Sequence, residues 1–341
     1  MQEILYYMGM DIHKKTIAFC VKDAAGEIIR EGTIRNQREA IKGLAAELNY
    51  PWIGAMEATI CTGFVYDVFA EEGHIIKVAN PYELKAIVSA KKKSDRLDAR
   101  TIADLLRCNL LPETYVAPRE IRELRQILRF RNLLVRETVR FKNKASGLLM
   151  EAGAEYNKSK LHGKRYFKEL LERLDYVPES VLDLLRMSRS SYEIFDEMQK
   201  RLIKGLKDHP RIRERVERLR TIPGVGEIMA LTWVLEVSDP HRLPSVSHAV
   251  SYCGLCSAYR ESAGHVRRGP LSKQRNANLQ TMLIEVAKLA PMYNSRLAEV
   301  REEELAKGNR NKATIAVARK LVAYMLSVEK SGKNFEIREV A

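Results

Sequence analysis

Long apolar runs are missing from this 341-residue chain; none approaches the roughly 18–20 residues that a bilayer-spanning helix needs. The opening residues, MQEILYYMGMDIHKK, lack a basic leader and carry Glu3 and Asp11, so they do not read as a signal peptide. Cysteine is scarce. The five present are an odd number and scattered, which argues against a disulfide framework and suits a reducing cytoplasm. The nearest pair, Cys253 and Cys256 in CGLC, is a single CxxC without a second half, so two small packed residues are expected there rather than zinc ligands. Low-complexity tracts and internal repeats are also lacking. Acidic residues are in deficit: 44 Asp and Glu stand against 58 Lys and Arg, a formal charge of +14. That surplus favours an anionic partner, nucleic acid ahead of an acidic membrane. The length leaves room for about two or three domains with a sizeable core.

The first third reads as a mixed α/β sheet with helices on its faces. ILYYMGMDI, TIAFCVKD and EIIREGTI have strand composition and are separated by HKK and by a turn at Gly26. An amphipathic helix over 37–48, a strand at WIGAMEAT (52–59), a helix over 62–73 and a strand at HIIKVANP (74–81) follow. A helical run is expected from about Tyr82 to Leu106. From Pro118 to Glu151 the pattern is one long helix. Arg122, Arg125, Arg129, Arg136 and Arg140 fall in a narrow arc opposite Leu124, Leu128, Leu134, Val135 and Phe141. Such a stripe is either a solvated face or a phosphate-tracking one, and its nearly uniform sign favours the second.

Gly153 and the polar 156–165 mark a break. Helical patterning resumes from Phe167 to Leu219 with turns at Pro178 and His209–Pro210. Its apolar three- and four-residue steps suit a helical hairpin or coiled coil, and with it dimerisation. In TIPGVGEIMALTWVLEV (221–237), Gly224 and Gly226 precede an apolar helix, where backbone N–H groups can face a phosphate. That pattern resembles a helix–hairpin–helix module, against the plainer reading of a glycine turn. A Gly- and Ser-rich basic loop is expected over 257–275, with Arg260, Arg267, Arg268, Lys273 and Arg275 around Ser262. A final helix is expected near 311–328.

KKKSDRLDAR (91–100) sets Lys91, Lys92 and Lys93 against Asp95 and Asp98, whose i, i+3 spacing puts both carboxylates on one side of a helix. Two readings apply. Ser94 can cap a helix whose first-turn acids are stabilised by its dipole, or the acids hold a divalent ion beside a phosphate chain. Asp11 ends the first strand and Glu57 ends the fourth. If those strands are neighbours and the Asp95/Asp98 helix crosses their ends, four carboxylates converge and need cations to offset their repulsion.

These segments together carry a resemblance. MDIHKKTIAFCV, AMEAT, KKKSDRLDARTIADLL, IPGVGEIMA and the RESAG loop with PLSKQRNANLQTMLIEVA resemble the DEDD-type insertion-sequence transposases, a family that includes the Piv-type DNA invertases. The match spans about residues 6–116 and 217–290 in order. It implies a RuvC-like (RNase H-like) domain over 1–116, a helical coiled-coil region over 117–215 and a mainly helical transposase domain over 216–341. It also implies metal-binding catalytic acids at Asp11, Glu57, Asp95 and Asp98 and a nucleophilic serine at Ser262. Members often have Gly directly after that serine; here Ala263 precedes Gly264, which leaves Ser257 and Ser272 as fallbacks. His13 belongs to the first motif and is expected to orient its neighbours. The resemblance further implies two Mg²⁺ ions (or Mn²⁺), double-stranded donor and target DNA, and a structured guide (bridge) RNA. A homodimer, or a tetramer on DNA, would then work in a prokaryotic cytoplasm at the nucleoid, away from membranes. A RuvC-like nuclease or junction resolvase that uses water, and a non-catalytic nucleic-acid-binding scaffold, are the competing readings.

Overall fold

The computed structural model describes residues 6–88, 94–262 and 264–336. Two compact units divide the chain, residues 1–119 and 120–341. Among the described residues no helix is long and apolar enough to cross a membrane.

The first unit runs β1 (Tyr6–Ile12), β2 (Thr16–Asp23), β3 (Ile28–Arg35), α1 (Arg38–Glu47), β4 (Trp52–Glu57), α2 (Thr62–Glu71), β5 (Ile75–Ala79), α3 (Pro81–Ile87) and α4 (Asp95–Arg107). Its sheet has the order β3-β2-β1-β4-β5. β2 is antiparallel to β1 and β3, and β4 and β5 run parallel to β1. This is the RNase H-like mixed sheet expected from the sequence. Strand alternation sends Met8, Met10 and Ile12 into a core with Ile41, Val65 and Phe69 from α1 and α2. Gly9 and Asp11 lie on the opposite face, which α4 covers.

The close approach of α4 is written in small residues. Ala18, Cys20 and Ala99 form one buried cluster. A Cβ on Gly9 would stand 2.1 Å from the Ala99 carbonyl oxygen and 2.3 Å from the Ala103 nitrogen. Ion pairs then fix the helix in place: Arg100 donates to both Glu31 oxygens on β3 at 2.8 and 2.9 Å, and Lys22 on β2 meets Asp104 at 2.6 Å. Gly9→Ala should therefore push α4 off the sheet, lowering stability by about 1–3 kcal/mol or more. A thermal melt checks this; an unchanged Tm would contradict the packing.

The helical run expected from Tyr82 to Leu106 is two helices. Ser94 is extended, and its hydroxyl accepts the Leu97 N–H at 3.3 Å, so α4 starts afresh at Asp95. Lys91, Lys92 and Lys93 lie outside the described residues.

The second unit runs α5 (from Arg119, Arg119–Glu151), α6 (Lys164–Glu172), α7 (Glu179–Lys207), α8 (Pro210–Arg220), α9 (Glu227–Val237), α10 (Val246–Tyr252), β6 (Ser257–Ser262), β7 (His265–Leu271), α11 (Ala277–Leu289), α12 (Ser295–Leu305) and α13 (Arg310–Ser331). One core gathers the end of α5 with α6 and the start of α7, through Leu148, Leu149, Phe167, Leu170, Leu182 and Leu185. α9 is buried on every side from Met229 to Val237, as befits a central helix.

The basic loop expected over 257–275 is instead an antiparallel hairpin of β6 and β7. Its glycine and serine content hid the pairing. Only Ala263 and Gly264 separate the strands, and Gly264 has a φ of +79°, the left-handed geometry that tight hairpins demand. Pro270 is tolerated because a two-stranded ribbon has only edges.

Candidate active site

Strand and helix geometry bring the four acids of the first unit to one end of the sheet. Gly9 pairs with Ala55 across β1 and β4, and Met10 with Met56. Asp11 and Glu57 thus end adjacent parallel strands on the same face. Two residues along a strand advance about 6.6 Å. Four residues back along α4, from Ala99 to Asp95, retreat about 6 Å. The contact of Gly9 with Ala99 therefore sets the first turn of α4 beside Asp11.

His13 Nε2 lies 3.1 Å from Asp11 Oδ2 and 3.3 Å from Asp95 Oδ1. Burial raises the Asp11 carboxyl above its ordinary range; His13 counteracts this, and the charges of Asp95 and Asp98 push it further up. His13 is raised in turn, first by Asp11 and, against the cost of its own partial burial, by Asp95. One donor atom each from Asp11, His13 and Asp95 lie within 4.8 Å of one another. A partly desolvated acid among other carboxylates is the setting that a divalent cation relieves, so the donor set fits a metal. Glu57 and Asp98 line a cleft of ≈ 240 Å³ together with Tyr82, Leu84, Lys85 and Ile102. Asp11 and Asp95 thus meet through His13, and Glu57 and Asp98 share the cleft. Arg96, between the two aspartates, and Arg100, just after them, turn instead to Glu31.

In the second unit Ser262 is exposed at the end of β6, paired in register with His265 across the turn. Its hydroxyl has no hydrogen-bond partner among the described residues. The hairpin is held at its root. Ser272 N donates to Cys256 O at 2.9 Å, Gln280 Nε2 to Gly254 O at 2.6 Å, and Arg319 Nη2 to Leu255 O at 2.7 Å. Arg275 covers Gly254, whose φ is +69° and where a Cβ would lie 2.4 Å from the arginine side chain; its Nη1 donates to Ser272 O at 3.2 Å. Ser257 starts β6, and Ser272 Oγ accepts the Gln274 N–H at 3.1 Å. Arg267 and Arg268 fall on β7, and Arg267 and Lys273 are exposed.

Residues 8–153 match a DEDD-type family model described as "Transposase", and residues 216–302 match "Transposase IS116/IS110/IS902 family". The chain belongs to this transposase family. It is 26% identical over 84% of its length to the transposase for insertion sequence element IS1328 of Yersinia enterocolitica, covering 86% of that protein. It is 27% identical over 82% of its length to the transposase for insertion sequence element IS1111A of Coxiella burnetii, covering 76% of that one. A Thermus thermophilus RuvC structure aligns in full with 32% of the chain, at 13% identity and a TM-score of 0.24. The RNase H-like assignment rests on the sheet order and the family match.

Two arginines of the stripe on α5 are engaged by protein groups in this transposase. Arg129 grips Glu236 with both ends of its guanidinium at 2.8 and 2.7 Å, and Arg125 donates to Leu235 O at 2.8 Å. Glu236 is 1% exposed, and a buried carboxylate demands cations, which these two arginines supply. Asn276 and Asn278 also donate to Glu236, at 2.8 and 3.0 Å. Arg122 is half-buried, Arg136 is exposed, and Arg140 pairs with Glu137 at 2.7 Å. Sequence reasoning missed Glu236 and its partners. The signal was one acid inside the apolar run EIMALTWVLEV, since Glu is almost never fully buried without a partner.

Gly224 has a φ of +94°, and a Cβ there would lie 2.8 Å from Ala290 Cα, so it serves close packing. Gly226 is the N-cap of α9 with open space beside it. Burial pushes the Cys253 thiol up to about 12, which keeps it protonated at neutral pH.

Proposed function

We propose that this transposase cuts and exchanges DNA strands through a covalent phosphoserine intermediate on Ser262, with Mg²⁺ held by Asp11, Glu57, Asp95 and Asp98. The observation that carries the reading is the convergence of these acids from β1, β4 and the first turn of α4 around a raised Asp11. When bound, the metal supplies positive charge for the phosphodiester. His13 orients Asp11 and Asp95. Ser262 Oγ would attack phosphorus and displace a strand hydroxyl, leaving a phosphoserine ester whose bond energy is kept for rejoining. Its exposure at the tip of an anchored hairpin supports that role, because a backbone-sized substrate reaches it without unfolding. Serine needs activation to attack, and a divalent ion held by the four acids would supply it when bound.

Double-stranded donor and target DNA are the substrates, bound at Lys91, Lys92, Lys93, Arg122, Arg136, Arg140, Arg267, Arg268, Lys273 and Arg275, with Gly226 offering N–H groups of a helix–hairpin–helix-like turn. A structured guide RNA is a further partner, read through backbone phosphates. The parts 1–116, 117–215 and 216–341 act as catalytic, coiled-coil and transposase modules, in a prokaryotic cytoplasm at the nucleoid. Association of two or four copies is supported by α7, where Leu184, Met187, Ile194 and Met198 are exposed at steps of three, seven and four residues.

Ser262→Ala tests the mechanism. Incubated with Mg²⁺ and DNA carrying the element ends, the wild-type chain should leave a protein–DNA adduct on a denaturing gel, and Ser262→Ala should leave none while still binding DNA. An adduct from the mutant would refute the assignment. Cut strands without any adduct would favour the nuclease reading. RNA sequencing of co-purifying nucleic acid tests the guide; active preparations without a discrete RNA would sink it.

A further inference from the structure

The cleft of ≈ 240 Å³ next to the acids has two chemically different sides. Glu57 and Asp98 contribute carboxylates, while Pro81, Leu84, Val88 and Ile102 contribute aliphatic surface. Tyr82 also lines it, yet is 67% exposed. A large aromatic ring left in water costs hydrophobic free energy that a stacking ligand would recover. The ring stands on a fixed mount: Asn80 caps α3 by accepting the Tyr82 N–H at 3.1 Å, and Pro81 presets the first turn. Lys85 follows Tyr82 by three residues, on the same helix face, and is exposed at the cleft.

We propose that this cleft is a nucleobase subsite, which takes one unstacked base of the DNA strand whose phosphate lies at the acids. The inference rests on the metal-dependent strand-cutting reading given above and adds the substrate state that the site selects. An uncharged flat ring satisfies the aliphatic wall of Pro81, Leu84, Val88 and Ile102 and stacks on Tyr82. The space of ≈ 240 Å³ holds one base. Lys85 then lies where the phosphate of the neighbouring nucleotide would pass. Of the two hydroxyls in the described lining, that on Thr101 is already committed to Leu97 O at 2.8 Å, and that on Tyr82 sits on the stacking ring itself. Recognition therefore comes from stacking and aliphatic contact, which every base offers, so the subsite reads an unpaired strand and not a letter.

The test uses the full chain with single-stranded DNA oligonucleotides in Ca²⁺, so that binding is read without cutting, and with 2-aminopurine walked along the strand. At one position the wild-type chain should change the 2-aminopurine emission by stacking. Tyr82→Ala should abolish that change and weaken binding on the order of 5- to 150-fold, while Tyr82→Phe keeps both. Removing the base at that position should weaken the wild-type chain by a similar factor and leave Tyr82→Ala unaffected. Tyr82→Ala that binds and reports like wild type would overturn the subsite alone. A wild-type chain that binds no strand in Ca²⁺ would overturn the subsite together with the proposed function.

Discussion

Asp11→Asn should lower Mg²⁺-dependent DNA strand cleavage by about 10³-fold or more while leaving the fold intact. Asparagine matches aspartate in shape and can still hydrogen-bond His13, so only the charge is removed. Asp11 sits where burial and the fields of Asp95 and Asp98 both oppose its ionised form. Neutralising it relieves that repulsion, so the Tm should hold or rise. The stabilisation that a divalent ion gives by mass action should disappear with the charge. A cleavage assay beside thermal melts with and without Mg²⁺ decides the matter. Full activity in Asp11→Asn would remove the metal site from the mechanism, and a fall in Tm would make Asp11 a structural residue.

Glu236→Ala should damage the second unit more than any surface change. It leaves the guanidinium groups of Arg125 and Arg129 without their carboxylate, the amide of Asn278 without that acceptor, and the amide of Asn276 with only Tyr252 Oη at 3.3 Å. Breaking a buried pair from one side costs about 3–5 kcal/mol, or roughly 6–20 °C in Tm for a unit of this size. Asn276 also caps α11, which follows the Ser262 hairpin, so the loss should loosen the root of that hairpin. The same residue gives a pH signature. Burial pushes the Glu236 carboxyl up, but the paired hydrogen bonds and charge of Arg129, with Asn276 and Arg125, hold it below its ordinary value. A depressed folded pKa means that the contribution is complete above the unfolded value near ~4.3 and is lost as pH falls through the folded one. Melts between pH 6 and pH 3 (roughly the window set by these values) should therefore fall more steeply for wild type than for Glu236→Gln. Parallel slopes would deny the buried ion pair.

Much of the first unit was legible because its signals are local. Strand composition, Gly26 at a turn and Ser94 before Asp95 are each decided within a few residues, and the strands came out in the expected order. Asp11 at a strand end and the i, i+3 spacing of Asp95 and Asp98 are likewise properties of short segments. The hairpin at Ser262 was not legible: its pairing partners sit across a turn in a Gly- and Ser-rich stretch that has the composition of a loop. The protein partners of the arginine stripe were not legible for a related reason. Helical periodicity tells which residues share a face, and it does not tell what that face meets.

Sequence by itself determined the family, most of the element types and the basic surplus, and it nominated the acidic residues of the candidate site. Tertiary structure alone decided that Gly9 lets α4 approach until Asp95 comes within His13's reach of Asp11. It also decided that Glu57 and Asp98 share a cleft with Tyr82, and that Arg125 and Arg129 answer a buried Glu236. The division has a physical cause. Propensity and periodicity act over a few residues of chain, whereas charge pairing and close packing act between atoms that only the fold brings together.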